Sequence, residues 1–311
     1  MILLPTVENV ALAAEALRAG ELVGLPTETV YGIAANALDP SAVRSTYALK
    51  GRPADHPLIV HLASVSQVDA VVAEFPSIAS RLAAEFWPGP LTMVLPKAAN
   101  VPLEATGGLE TVAIRVPDHP VARDLLSAAG VPVTAPSANK FMGLSPTRAE
   151  DIAPEVASGL ACILDGGPCS VGLESTVVDL TSDVVRVLRP GRISREMLEA
   201  VVGAPVLVGG ASERKSPGMH PRHYAPRTPL RLVDRAPSAA VALVLGSAAG
   251  PHQIGLPPEP WAYGAGLYSA LAALDLQGAD EILVEKPPEG ADWTAVWDRL
   301  RRATFSGHRQ M

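Results

Sequence analysis

Four basic side chains stand beside turn-forming residues in the first two thirds of the chain: Lys50 and Arg52 around Gly51, Arg115 before Val116-Pro117, and Arg189 before Pro190-Gly191. Arginine offers a planar fork to phosphate or carboxylate, and lysine a point charge. If these ends share one face of a fold, they form a cationic cavity suited to a small polyanion such as ATP. Each position also has a plainer reading. Lys50 and Arg52 can simply complement a helix C-terminus. Arg115, alone in the apolar run 111–116, can sit in a structural ion pair or clamp a ligand anion.

Polar groups accompany these cations. Pro26-Thr27-Glu28-Thr29-Val30-Tyr31-Gly32 follows an apolar strand, so its hydroxyls and carboxylate can converge on a small polar ligand, or Thr29 can cap a turn. His56 precedes a short strand and His61 lies at its end, where it is either a half-buried side chain or a ligand contact. Thr134-Ala135-Pro136-Ser137-Ala138-Asn139 combines small residues with two hydrogen-bonding side chains. Ser145-Pro146-Thr147 opens a further turn that is either a helix start or an anion site. Gly166-Gly167 and Gly172-Leu173-Glu174-Ser175-Thr176 allow close backbone approach. There is no phosphate loop of Walker type, no zinc-protease helix and no serine elbow. No carboxylate cluster stands out as a metal cage, so any Mg²⁺ is expected to arrive with a nucleotide.

The elements that must position these groups read as mixed α/β. Helices are expected over 7–19 (Thr6 cap), 39–49, 65–73, 76–86, 118–129, from a Thr147–Glu150 capping box onward, and over 194–202. Strands are expected over 21–25, 58–62, 91–95, 111–116, 131–134, 162–164, 175–180 and 184–188. Adjacent strands late in the segment point to a twisted mixed sheet flanked by helices rather than a pure parallel one. A Pro- and Gly-rich stretch from Val208 to Pro229 carries Arg214, Lys215, Arg222 and Arg227 and reads as a linker. Beyond it, strands at 230–233, 240–245 and 281–284 and helices at 265–275 and 292–303 read as a small α/β domain without a dinucleotide fingerprint.

Composition narrows the class. The chain has 311 residues, 48% hydrophobic and 18% charged, with a formal charge of −7, so a disordered chain or a nucleic-acid glove is excluded unless a local basic patch overcomes the global sign. Its two cysteines, Cys162 and Cys169, cannot form a disulfide framework or a four-thiolate zinc site. The N-terminus lacks a basic signal-peptide region and no apolar run is long enough to span a membrane, so a cytoplasmic protein is expected.

Taken together, Pro26–Gly32, Lys50-x-Arg52, Pro57–His61, Trp87-Pro88-Gly89-Pro90-Leu91-Thr92, Arg115-Val116-Pro117, Pro136–Asn139, Gly172–Thr176 and Leu188–Gly191 closely resemble the YrdC/Sua5 family. Ser216-Pro217-Gly218-Met219 with His223-Tyr224-Ala225-Pro226 looks like the linker of its longer, Sua5-type members. The resemblance implies a YrdC-like catalytic domain over 1–205, a linker over 206–229 and a small Rossmann-like α/β domain over 230–311. It implies synthesis of threonylcarbamoyl-AMP and pyrophosphate from L-threonine, bicarbonate or CO2, and Mg²⁺-ATP. A separate transferase would then use the product to form N6-threonylcarbamoyladenosine at position 37 of tRNA, with no strong direct tRNA binding by this chain. Carried over by position, Thr29, His61, Arg115, Ala135 (through its backbone) and Ser175 would hold threonine. Lys50, Arg52, His56, Thr111, Ser137, Asn139, Ser145, Arg189 and Tyr224 would hold ATP, Lys50 and Arg52 being catalytic. The linker would close as a lid. His56 stands where many relatives carry Asn, and His220-Pro221 replaces their basic–aromatic pair.

Overall fold

The computed structural model describes residues 1–209 and 223–305. The expectations on Arg214, Lys215, Ser216–Met219, His220-Pro221 and Arg222 lie outside the described residues. In the first part, strands β1 (Ile2–Leu3), β2 (Val23–Leu25), β3 (Gly32–Asn36), β4 (Ile59–His61), β5 (Leu91–Pro96), β6 (Thr111–Arg115), β7 (Val133–Thr134), β8 (Cys162–Leu164), β9 (Thr176–Asp179), β10 (Arg186–Arg189) and β11 (Leu207–Val208) form one sheet. Their order is β1-β8-β2-β3-β7-β4-β6-β5-β9-β10-β11. Parallel junctions such as β4·β6 and β5·β9 are interspersed with antiparallel ones such as β5·β6 and β9·β10, the mixed sheet expected from the element order.

The flanking helices are α1 (Val7–Arg18), α2 (Pro40–Lys50), α3 (Ser77–Phe86), α4 (Leu103–Thr106), α5 (Pro120–Ala129), α6 (Pro154–Ala157) and α7 (Arg195–Val202). Thr6 caps α1 by accepting from the Asn9 amide at 3.3 Å. Asp39 caps α2 by accepting from the Ser41 amide at 2.8 Å, with Pro40 in the first turn. Gly51, at φ 63°, then ends α2 in the left-handed conformation and turns the chain sharply between Lys50 and Arg52.

Some expected elements differ. Over 65–73 only a 3₁₀ turn forms (Val65–Ala70), because Ser64 gives no capping bond and pairs its hydroxyl with Ser66 at 2.7 Å. The helix expected after Thr147 is reduced to a 3₁₀ turn at Ala149–Asp151 followed by α6. There Asp151, not Glu150, accepts from the Thr147 and Arg148 amides, and Pro154 prevents the first turn from continuing. Strand β3 was not anticipated. Its Gly-Ile-Ala-Ala-Asn sequence has weak strand propensity and is held by pairing on both edges with β2 and β7.

The second part has four parallel strands, β12 (Leu230–Val233), β13 (Ala242–Leu245), β14 (Gln253–Leu256) and β15 (Ile282–Glu285), in the order β12-β15-β13-β14. Helices α8 (Pro260–Asp275) and α9 (Thr294–Ala303) pack on it. Its apolar core is continuous with the first part: Val30 and Leu173 join Leu243, Leu267, Leu271 and Leu300 in one buried cluster. Gly172 makes this approach possible, since a Cβ there would lie 2.5 Å from the Ala265 Cα on α8.

Candidate active site

Strand alternation sets which side chains reach the cavity. In β4, Val60 enters the main core while Ile59 and His61 face the other way. In β6, Val112 and Ile114 share that core while Ala113 and Arg115, paired with Ile59 and His61, face the cavity side. Ile59, Val94, Ala113, Val177 and Leu188 pack together as an apolar patch on this face. A cavity lies here, its walls including Thr29, Arg52, His61, Arg115, Ala135, Ser137, Glu174, Ser175, Arg189, His223 and Tyr224.

The side chains at one end form a connected polar set. Arg115 donates through Nη1 to Thr29 Oγ1 (2.9 Å) and through Nε to the Gly89 carbonyl (3.2 Å), and its Nη2 lies 2.6 Å from Glu28 Oε1. The two readings of Arg115 therefore meet: it is ion-paired, yet it still faces the cavity. Thr29 also pairs with Thr27 Oγ1 at 2.9 Å, and Thr27 donates to the Val30 carbonyl at 2.6 Å, which stiffens this turn. His61 places Nδ1 3.2 Å from the Ile59 carbonyl. Burial and the nearby Arg115 push its pKa down to about 3, so the imidazole is neutral.

At the other end, Arg189 donates from Nε to the Ser175 carbonyl (3.0 Å) and from Nη2 to Ser175 Oγ (3.1 Å), while Ser175 Oγ also pairs with Thr92 at 2.8 Å. Arg52 donates to the Pro57 carbonyl at 3.0 Å, but among the described residues its buried Nε has no hydrogen-bond partner. Burial lowers the pKa of Arg52 to about 10 and also lowers that of Arg189. Buried guanidinium groups with depressed pKa values mark a place where an anion would be stabilised.

Other expected site residues stand behind the wall. Lys50 is buried, with its ammonium donating to the Ser137 carbonyl, the Asn139 carbonyl (2.8 Å) and Asn139 Oδ1 (3.0 Å). Asn139 in turn accepts from Ser137 Oγ at 2.6 Å and donates to the Gly143 carbonyl at 2.7 Å. Ser145 donates to Glu174 Oε1 at 2.6 Å. Thr111 lies on the same face as Ala113 and Arg115 but roughly 13 Å along the strand from Arg115, outside the cavity wall. His56 packs edge-on against Phe141, whose ring approaches His223 in turn.

The family profile described as "Telomere recombination", of the Sua5, YciO and YrdC proteins, matches residues 15–191. The profile described as "Threonylcarbamoyl-AMP synthase, C-terminal domain" matches residues 193–304. The chain belongs to the Sua5/YrdC family. The threonylcarbamoyl-AMP synthase of Bacillus subtilis is 40% identical, over 95% of this chain and 92% of the relative. That of Pyrococcus abyssi is 41% identical, over 97% and 95%. A crystal structure of P. abyssi Sua5 complexed with L-threonine superposes with a TM-score of 0.87 at 39% identity, covering 96% of this chain and 94% of that one.

In this Sua5-family chain, sequence reasoning missed several residues around the cavity. Glu174 is buried in the wall, accepting from Ser145, from Tyr268 Oη (2.9 Å) and from Arg299 Nε (2.9 Å). Burial would raise its pKa, but Arg299 and Arg189 bring it down to about 2. Tyr268 and Arg299 belong to the second part, more than ninety residues away in sequence. His223, whose ring lies 4.1 Å from that of Tyr224, is likewise part of the wall, with its pKa lowered to about 3 by burial. Glu174 carried a signal in the sequence as part of the glycine-led polar turn Gly172-Leu173-Glu174-Ser175-Thr176, and His223 only as part of the linker motif, whereas Tyr268 and Arg299 carried none. The three guanidinium groups, a neutral imidazole and convergent hydroxyls can together bind two anions side by side.

Proposed function

We infer that the chain is a threonylcarbamoyl-AMP synthase, joining L-threonine, bicarbonate or CO2, and ATP with release of pyrophosphate. The observation that carries this reading is the meeting of Arg52, Arg115 and Arg189 in one cavity in a chain that aligns almost end to end with two proteins of that name. The product would supply tRNA N6-threonylcarbamoyladenosine formation by a separate transferase, in the cytoplasm. Among the described residues, no helix is long and apolar enough to cross a membrane.

Threonine would lie at the Arg115 end. Arg115 would pair its carboxylate, Thr29 and Ser175 would orient it, the Ala135 backbone would approach its small side chain, and neutral His61 would face it without adding charge. Once threonine's amine has added to CO2, the carbamate oxygen would attack the α-phosphorus and pyrophosphate would leave. Two anions must approach one another, so Arg52 and Arg189 would offset the repulsion and stabilise the charge that develops. Ser137 would border the nucleotide, with Asn139 and Ser145 bracing that part of the wall from behind, while Thr111 and His56 would meet it only where it extends beyond the cavity. Lys50, fully engaged with the 137–139 turn, would act mainly by positioning it.

Mg²⁺ would enter on the phosphates. Among the described residues, no group of three or more potential ligands could cage a metal, and Glu174, the carboxylate in the wall, is already engaged by Arg299, Tyr268 and Ser145. Tyr224, in the cavity wall, would help shield the labile carbamate from water. Mass spectrometry of the reaction with threonine, bicarbonate and Mg²⁺-ATP, each omitted in turn, tests the reading. A threonylcarbamoyl adenylate formed only in the full mixture is expected; pyrophosphate release that is indifferent to threonine would overturn it.

A further inference from the structure

Arg299, on α9, is the largest fully buried side chain in the described structure, at 1% exposure. It grips three separate parts of the cavity wall. Its Nε and Nη2 donate to the carboxylate and the carbonyl of Glu174 (2.9 and 3.2 Å), immediately before Ser175. Its Nη1 donates to the Pro190 carbonyl (2.8 Å), immediately after Arg189, and to Asp298 Oδ2 (2.9 Å). Its guanidinium lies 5.1 Å from the centre of the Tyr224 ring. Glu174 in turn holds Ser145.

The charge at Glu174 makes this contact matter for the chemistry. A buried carboxylate in the wall of an anion-binding cavity repels phosphate and attracts the nearest cations. Besides Arg299, Glu174 acts on Arg189, which faces the cavity, and on Lys50, which stands behind its wall. We propose that Arg299 is a positioning residue for ATP binding: it neutralises Glu174 from outside the cavity, so that Arg189 stays on Ser175 and faces the nucleotide. This rests on the synthase reading above, and it makes the C-terminal unit an integral part of the active site.

The test uses the full chain with Arg299→Met, Glu174→Gln and the double variant. Calorimetry with a non-hydrolysable ATP analogue is the principal readout. Arg299→Met is expected to weaken analogue binding about tenfold or more, since one partner of a buried charge pair is left alone, while the threonine KM moves by less than about threefold. Adding Glu174→Gln to Arg299→Met removes the stranded charge and is expected to restore affinity to within about threefold of the parent. A merely structural Arg299 predicts otherwise: both ligands weakened alike, with Glu174→Gln deepening the loss. Either that result or unchanged analogue binding in Arg299→Met overturns the proposal. Should Arg299→Met fail to fold, Arg299→Lys decides. Near-parental affinity with charge alone supports the proposal, and a loss of about tenfold or more in the folded lysine variant overturns it. Absence of threonine-dependent pyrophosphate release by the parent chain would reject the synthase reading separately, because analogue binding is read without turnover.

Discussion

At the scale of single residues, the arginines divide the labour. Arg115 sits with Thr29 and Glu28, so Arg115→Ala is expected to raise the threonine KM by about a hundredfold, with a smaller change for ATP, measured as pyrophosphate release at varied threonine. Arg52 carries a buried Nε with no hydrogen-bond partner among the described residues, so Arg52→Ala is expected to lower kcat by about 10² to 10³, with only a small drop in melting temperature from the lost Pro57 contact. Lys50→Ala behaves differently, because three oxygens of the 137–139 turn lose the ammonium that ties them together: activity and melting temperature should fall together. His61 and His223 are held neutral with pKa values near 3, well below their ordinary 6.5. The unfolded chain therefore takes up protons between those values that the folded chain does not, and stability falls as pH drops from 6.5 toward 3. Glu174, at about 2 against 4.5, adds a loss in the same direction over the lower window. Thermal melts from pH 7 to 5 should decline, and His223→Gln should flatten part of that slope; a slope unchanged by this substitution would refute the contribution of His223.

At the scale of elements, a turn rather than a helix or strand sets the critical spacing. Gly191 lies so close to the 174–176 backbone that a Cβ would fall 2.4 Å from the Thr176 amide nitrogen. Gly191→Ala should push the Arg189 turn away from Ser175 and lower kcat/KM by about tenfold or more in a chain that still folds, as judged by circular dichroism. This spacing was not legible in the sequence, where Leu188-Arg189-Pro190-Gly191 showed only an arginine entering a turn. Elements with strong local signals were legible: Asp39-Pro40 opening α2, Thr6 capping α1, and the β-branched and apolar runs of β4, β5 and β6. β3 was hidden because its small residues are strand only by virtue of their neighbours. The cationic cavity was legible as a set of arginines near element ends, but its floor needed the register of β4 against β6, which no local pattern supplies. Glu174, Tyr268 and Arg299 were illegible as a group, since their contact joins positions far apart along the chain.

At the scale of the whole molecule, the two parts share a core and a close backbone approach at Gly172. Gly172, at φ 68°, tolerates no Cβ against Ala265, so Gly172→Ala should separate the units locally. Threonine-dependent pyrophosphate release should then drop, and nucleotide breakdown without threonine should rise as water enters. Unchanged values of both would show that the approach of α8 is immaterial to the cavity.

The Arg299–Glu174 contact also constrains how such chains can diversify. A chimera that joins this catalytic half to a foreign C-terminal half without an arginine at the matching place would strand a carboxylate inside its own reaction chamber. The two halves must therefore be exchanged as matched sets, and loss of the positive charge at one of these two positions is tolerable only when the carboxylate at the other goes with it.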